Sequence, residues 1–400
     1  MKNFKIFLLA ILVLVFVAED LYSIPAFARK YKLSCQACHL PMPRIKDYGD
    51  DFAGNGFKLP DKEAPRYYVE TGDEELSLIR DFPIAVRMDA HIMYNNNNEE
   101  KSDFGVPYTV KLMSGGEITD DVAYYFYFYM NERGHVAGVE DAYIMFNNLF
   151  GTELDLYMGQ FQVSDPLFKR ELRLTLEDYN IYKMKPEGSR INLAYDRGLM
   201  LTYGFDTGTD IIFEVVNGSG LNGADANMIF DDDEYKNIAG RVSQDLGDYF
   251  RVGAFGYYGK EALTAFDDAE INYTNEMNMV GFDFTVSLND MFELNFQAME
   301  RFDKHLITPG ETLLEYKDVV TQGIMSELIF LPKGDDSKWY ATGLFNWAET
   351  KDMNYSYKAA TAHLGYVFRR NIRMVVEGTY DFSDCDNPFT RFSVGVVTAF

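Results

Sequence analysis

From about Asp81 to Phe400 the chain breaks into segments of roughly ten residues in which apolar and polar side chains alternate, each ended by turn residues. Side chains on a strand point alternately to opposite faces, so such a segment has one apolar and one polar face and does not suit a helix. Phe292, Leu294, Phe296 and Ala298 alternate with Glu293, Asn295 and Gln297. Val280, Phe282, Phe284 and Val286 alternate with Gly281, Asp283, Thr285 and Ser287. Ile372, Met374, Val376 and Tyr380 oppose Arg373, Glu377 and Thr379. The expectation is an all-β fold. A soluble sandwich has the same period of two, so alternation leaves the architecture open.

Three further features favour a closed transmembrane β-barrel. Tight turns at Ile118-Thr119-Asp120, Leu246-Gly247-Asp248 and Asn289-Asp290 interleave with long polar stretches around 96–106, 218–236, 260–275 and 302–317. Short turns at one end and long loops at the other are the rhythm of outer-membrane barrels. The two tryptophans, Trp339 and Trp347, are eight residues apart on one strand and share a face. At about 3.3 Å per residue and a tilt near 40°, roughly 20 Å of membrane normal separates them, which suits two aromatic girdles around an apolar band. The run Arg391 to Phe400 alternates and ends in an aromatic, and it resembles the C-terminal strand by which outer-membrane proteins are recognised for assembly. Segment counting predicts an antiparallel barrel of about 16 to 18 strands, depending on whether Ile191 to Phe205 adds a hairpin at Asp196-Arg197-Gly198. The charged segment Ser164 to Glu171 joins two strand patterns and reads either as an external loop or as a constriction folded into the lumen.

The N-terminus reads differently. Met1 to Lys5 is a short basic start, and Ile6 to Ala18 is an apolar run too short for the about 20 residues of a helical span. The expectation is an export signal over residues 1–23, with Ala18 and Ser23 as alternative cleavage residues.

Just beyond it stands Cys35-Gln36-Ala37-Cys38-His39. A C-x-x-C-H pentad is the attachment site of c-type haem: two thiols bond the vinyl groups on one edge, and the adjacent imidazole coordinates the iron. A redox C-x-x-C needs a thioredoxin-like βαβ context, and a zinc site needs a second ligand pair; neither is nearby. The third cysteine, Cys385, reads as a free loop thiol. Ile24 to Pro60 carries the AFAR lead-in at Ala26 to Arg29, the pentad, prolines at 41 and 43, and the run Asp47-Tyr48-Gly49 to Asn55-Gly56-Phe57. These 37 residues resemble the N-terminal cytochrome segment of the fused cytochrome–porins of outer membranes, the best known of them from iron-oxidising bacteria. The resemblance implies one covalent haem c on Cys35, Cys38 and His39, a mainly helical segment over 24–78, a porin-like barrel over 79–400, and electron transfer across the outer membrane. Leu40-Pro41-Met42 departs from the His- and aromatic-containing stretch of the iron oxidases, so the donor stays open.

The second axial ligand is open as well. Met42 follows His39 too closely to reach the opposite haem face, and no Met or His occurs between Pro43 and Asp81. His135 and His305 fall in expected turns or loops. Strand parity turns Ile84, Val86, Met88, Ala90 and Ile92 to lipid and Arg87, Asp89 and His91 to the lumen; His363 likewise opposes Leu364, Tyr366 and Phe368. His91 is the first candidate for the distal ligand and His363 the second, with inward polar residues of a wet lumen as the competing reading.

A net charge of −25 argues against nucleic acid and favours cations near the surface. Acidic runs at Asp231 to Glu234 and Asp267-Asp268 suit metal cations, and solvated loops also read this way. Two functions stand. One is an electron conduit between a periplasmic electron-carrier cytochrome and an external donor or acceptor such as Fe(II). The other is a passive diffusion porin with a structural or sensory haem segment. A soluble haem protein on a β-sandwich is a third, weaker reading. No hydrolytic constellation is present in the sequence.

Overall fold

In a computed structural model, described for residues 26–59, 72, 76, 82–96, 101–163, 167–266, 270–307, 316–350 and 355–400, sixteen strands form one closed barrel in which each pairs antiparallel with its sequence neighbours. They are Ile84–Asn95 (β1), Ser102–Thr119 (β2), Val122–Glu132 (β3), Gly138–Phe146 (β4), Leu154–Phe161 (β5) and Asp196–Phe205 (β6). Next come Thr209–Val216 (β7), Asn237–Asp245 (β8), Phe250–Phe266 (β9), Glu270–Leu288 (β10) and Phe292–Ile307 (β11). Tyr316–Phe330 (β12), Trp339–Thr350 (β13), Tyr355–Arg369 (β14), Ile372–Asp381 (β15) and Phe389–Ala399 (β16) complete the wall. β16 returns to β1, with Arg87 opposite Ala399 and Asn95 opposite Arg391. Two short helices, Ala26–Tyr31 (α1) and Asp47–Gly54 (α2), precede the barrel. The expected export signal lies outside the described residues, and so do both ends of the expected 24–78 segment and Asp267-Asp268.

The faces alternate as parity predicts. Ile92 is 52% exposed and Leu364 51%, while His91 and His363 are 3% and 4% exposed. Trp339 and Trp347 both keep to the outward side of β13, at opposite ends of its alternation. An outer surface carrying Val280, Phe282, Leu364, Tyr366, Val394 and Phe392 is solvated by lipid, not water. No described helix is long and apolar enough to cross a membrane.

Some expectations need correction. Asp196 opens β6, and Ile191 to Tyr195 belong to the preceding connection, so no extra hairpin forms and sixteen is the count. The polar stretches around 96–106, 260–275 and 302–317 are in part strand: β2 begins at Ser102, β9 continues to Phe266 with β10 resuming at Glu270, β11 continues to Ile307 and β12 begins at Tyr316, while 97–100, 267–269 and 308–315 lie outside the described residues. Hairpins that extend beyond the apolar belt can be polar on both faces, which composition cannot tell from loop. His305, expected in a turn or loop, lies in β11 at a register shift between Asp303 and Leu306, with φ +63°. His135 is in a turn, and Cys385 is an exposed free thiol between β15 and β16, as expected.

Of the connection between β5 and β6, residues 162–163 and 167–195 fold into the lumen; Ser164 to Pro166, the start of the charged segment, lie outside the described residues. Val163, Tyr179, Ile181, Tyr182, Met184, Ile191 and Leu193 pack against inward-facing Met200, Tyr257, Met277, Met279, Met299 and Met325. Gly323 makes room for it, since a β-carbon there would stand 2.6 Å from Met184 Sδ. Each fully buried side chain of this size contributes about 1.5–3 kcal/mol. Polar anchors fix the ends. Glu377 accepts hydrogen bonds from the backbone N–H groups of Leu176 and Glu177 (2.6 and 2.9 Å). Arg301, fully buried, donates to Ser189 Oγ (2.6 Å), to the Ile191 carbonyl (2.5 Å) and to Asp303 (2.7 Å). Removing this guanidinium leaves Asp303 buried without its cation, a change that costs about 3–5 kcal/mol in buried pairs. Arg301→Ala is therefore expected to lower the temperature at which the folded band is lost on unheated SDS gels, and Arg301→Lys to recover part of the loss. An unchanged transition in Arg301→Ala would mean that the insert is held by its apolar contacts alone.

Candidate functional site

The N-terminal segment closes the short-turn end of the barrel. Arg29 of α1 donates to the Ile84 carbonyl at the foot of β1 (2.6 Å). Gln36 donates to the Asp335 carbonyl (2.6 Å), and Lys46 pairs with the Asp335 carboxylate (2.5 Å) in the turn between β12 and β13. Arg44 pairs with Glu293 at the start of β11. Asn147, beyond β4, donates to the Gly54 carbonyl (2.7 Å). An aromatic nest provides the apolar part of the dock: Phe27 stacks on Phe57 at 4.8 Å, Phe57 on Tyr125 at 5.6 Å, and Phe52 meets Phe27, Tyr31 and Phe57 edge-on. The AFAR lead-in and the Asn55-Gly56-Phe57 run are thus docking residues. Gly56 and Phe57 both take positive φ, +67° and +63°. The Tyr31 hydroxyl donating to the Phe57 carbonyl (2.6 Å) helps hold that turn.

The pentad sits inside this dock. Ser34 caps a single 3₁₀ turn, Cys35–Ala37, and α2 packs directly against it. A β-carbon at Gly49 would stand 2.5 Å from the Cys38 carbonyl oxygen, so only glycine allows that approach. His39 Nδ1 lies 3.1 Å from both the Pro43 and the Arg44 carbonyl oxygens. Carbonyls only accept, so Nδ1 carries the proton and Nε2 keeps its lone pair. Burial also lowers the His39 pKa and favours the neutral ring, and it raises both thiols. Neither thiol is in a disulfide.

Cys35, Cys38 and His39 line one cavity, whose empty space of about 1590 Å³ includes the open solvent at its mouth. Phe27, Tyr31, Leu33, Phe52 and Phe57 wall it on the N-terminal side; Ala85, Met113, Tyr125 and Tyr143 wall it on the barrel side. The insert adds Lys169, Glu171 and Leu172. Two thiols and a lone-pair imidazole nitrogen facing an apolar cavity are the donor set that a covalent haem needs.

His91 and His363 are brought together, but elsewhere. Both line a separate polar chamber with Asp89, Arg173 and Arg373, and neither lines the cavity of the thiols. Arg87 and Glu171 form the wall between the two spaces. His363 Nδ1 is 2.9 Å from Glu377, and its Nε2 is 3.3 Å from the Tyr340 hydroxyl. The His91 ring lies across Gly395, where a β-carbon would meet Nδ1 at 2.3 Å. Strand parity gave the side correctly and said nothing of depth. Among the acidic runs, Asp231, Asp232 and Asp233 cluster, and Lys236 and Arg190 already pair with them.

No protein-family description matches the chain, and no curated protein does. Solved structures do. An anion-selective porin from Comamonas acidovorans aligns over 80% of this chain and 99% of its own, at 11% identity and a TM-score of 0.57. The outer membrane channel DcaP of Acinetobacter baumannii covers 80% and 97%, at 13% identity and TM-score 0.54. Pseudomonas putida OprB covers 80% and 94%, at 10% identity and TM-score 0.54. The barrel is porin-like. At these identities the likeness concerns the fold.

The Gly49 contact yields a test. Gly49→Ala is expected to push α2 off the pentad at a cost of about 1–3 kcal/mol, as overpacking does, and to expose the N-terminal segment to limited proteolysis. Gly54→Ala, where a β-carbon meets nothing within 4 Å, leaves the digestion pattern unchanged. Equal behaviour of the two variants would reject the close approach.

Proposed function

We propose that this protein is an outer-membrane electron-transfer protein with one covalent haem c at the periplasmic mouth of a porin-like barrel. The observation that carries the reading is the single apolar cavity onto which Cys35, Cys38 and His39 all open. The two thiols would hold the haem through thioether bonds to its vinyl groups, each S–H adding across a C=C bond, with His39 Nε2 toward the iron. When bound, the haem supplies a one-electron couple. The chain does the rest. Pro43 and Arg44 carbonyls orient the imidazole, the aromatic nest keeps water from one side, and Lys169, Glu171 and Leu172 of the insert cover part of the other.

Position and charge support the choice of partners. Short turns face the periplasm in such barrels, which puts the dock within reach of a periplasmic electron-carrier cytochrome. The net charge of −25 favours cations at the surface, so Fe(II) is the first external donor to test. The second reading, a diffusion porin with a structural or sensory haem segment, is favoured by the likeness to porins and to the DcaP channel. The apolar packing of the insert against the inner wall weighs against a wide water-filled pore.

Two measurements on the full chain from outer membranes decide between them. The conduit reading expects a haem-staining band that survives denaturation, reduction of that haem by ferrous iron or by a periplasmic cytochrome, and low conductance in planar bilayers. Cys35→Ser/Cys38→Ser should lose the stain and keep the barrel. A large ohmic conductance with a haem inert to every donor supports the porin reading. Absence of covalent haem overturns the proposal.

A further inference from the structure

We propose that Met113, on the inner face of β2, supplies the second axial ligand to the haem iron, giving His/Met coordination; this rests on the haem reading above. An iron held by His39 on one side needs its other donor from whatever lines the remaining cavity. Apart from His39, the side chains there with a nitrogen or thioether donor suited to haem iron are Met42, Arg87, Lys111, Met113 and Lys169.

Four of these are committed elsewhere or badly placed. Arg87 is a permanent cation paired with Asp89 (2.7 Å), with no lone pair to offer. Lys111 is paired with Glu171 (2.7 Å) and lies over the Tyr127 ring at 3.4 Å from its centre. Lys169 stands opposite Asp50 (3.8 Å), and a protonated ammonium has no lone pair for a metal. Met42 is at the tip of a tight loop whose ends meet at the His39–Ile45 bridge, closed by the Leu40 N–H to Arg44 carbonyl bond (3.0 Å). That loop holds Met42 on the His39 side of the cavity.

Met113 approaches from the barrel wall. It pairs in register with Ala85 on β1 and Tyr127 on β3, so a small neighbour on one side leaves room for its thioether to move. It packs against the buried cluster of Tyr127, Tyr129 and Tyr195, beside Tyr125. Three rotatable bonds and a soft sulfur let a methionine adapt to what fills the space beside it. His91 is six residues beyond Ala85 on the same strand, roughly 20 Å at 3.3 Å per residue, and opens on the other chamber. Thioether ligation raises the reduction potential relative to two imidazoles, which suits acceptance of electrons from a weak reductant.

The test is spectroscopic and uses the full-length protein purified in detergent. The ferric wild type is expected to show the red-region charge-transfer band of thioether-ligated low-spin iron. Met113→Leu should lose that band and turn high-spin, while Met42→Leu and His91→Ala keep it. Met113→His should return to low spin with a lowered potential, and it answers the question if the leucine variant does not fold. Persistence of the band in Met113→Leu, its loss in Met42→Leu or His91→Ala, or its absence from a wild type that carries covalent haem would overturn the assignment and leave the haem reading intact. A wild type without covalent haem, seen on a stained gel before any spectrum, fails both.

Discussion

Closure of the sheet is the constraint on which everything else in this molecule depends. In hydrocarbon every backbone N–H and C=O must find a partner within the protein, and a sheet achieves this only by having no edge. Pairing of β1 with β16, from Arg87 opposite Ala399 to Asn95 opposite Arg391, removes the edge. It also puts the first and last strands side by side at the short-turn end. The chain that leads into β1 therefore arrives at the rim, where Arg29 meets the Ile84 carbonyl and Ala85 and Ala399 share one cavity wall.

A closed wall of sixteen strands encloses more space than strand side chains alone can fill. Two segments occupy it here. Residues 167–195 of the connection between β5 and β6 pack an apolar core against the inner face, with Met277, Met279, Met299 and Met325 standing where a water-filled channel would carry polar groups. The N-terminal segment closes the short-turn end with ion pairs at Glu293 and Asp335 and with the stack of Phe27, Phe57 and Tyr125. The two segments approach each other where Lys169 faces Asp50, and the cavity of the thiols lies between them. A redox group there would be shielded from both lipid and much of the water, the conditions by which a protein sets a potential.

The polar chamber beyond Glu171 is a distinct environment. His363 is engaged by Glu377, which in turn holds the insert through the backbone of Leu176 and Glu177. In this structure that histidine takes part in fastening the insert.

Much of this was legible in the sequence for a simple physical reason: strand parity is local. The period of two placed Ile92 and Leu364 outward and His91 and His363 inward, and tight turns located the short end of the barrel. The pentad is local as well, since two thiols and an imidazole within five residues share a short reach. What alternation could not carry was depth along the barrel axis, because a strand's period is the same at every level. That is why parity makes His91 and His363 candidates for a cavity they do not line, and why it does not single out Met113. Residues 162–195 lack a period altogether, so only packing against the inner wall distinguishes an inserted loop from an external one. Which residues face inward was thus set by the sequence alone; which of them share a cavity was decided by the tertiary structure, through contacts between segments as far apart as Cys38, Met113 and Glu171.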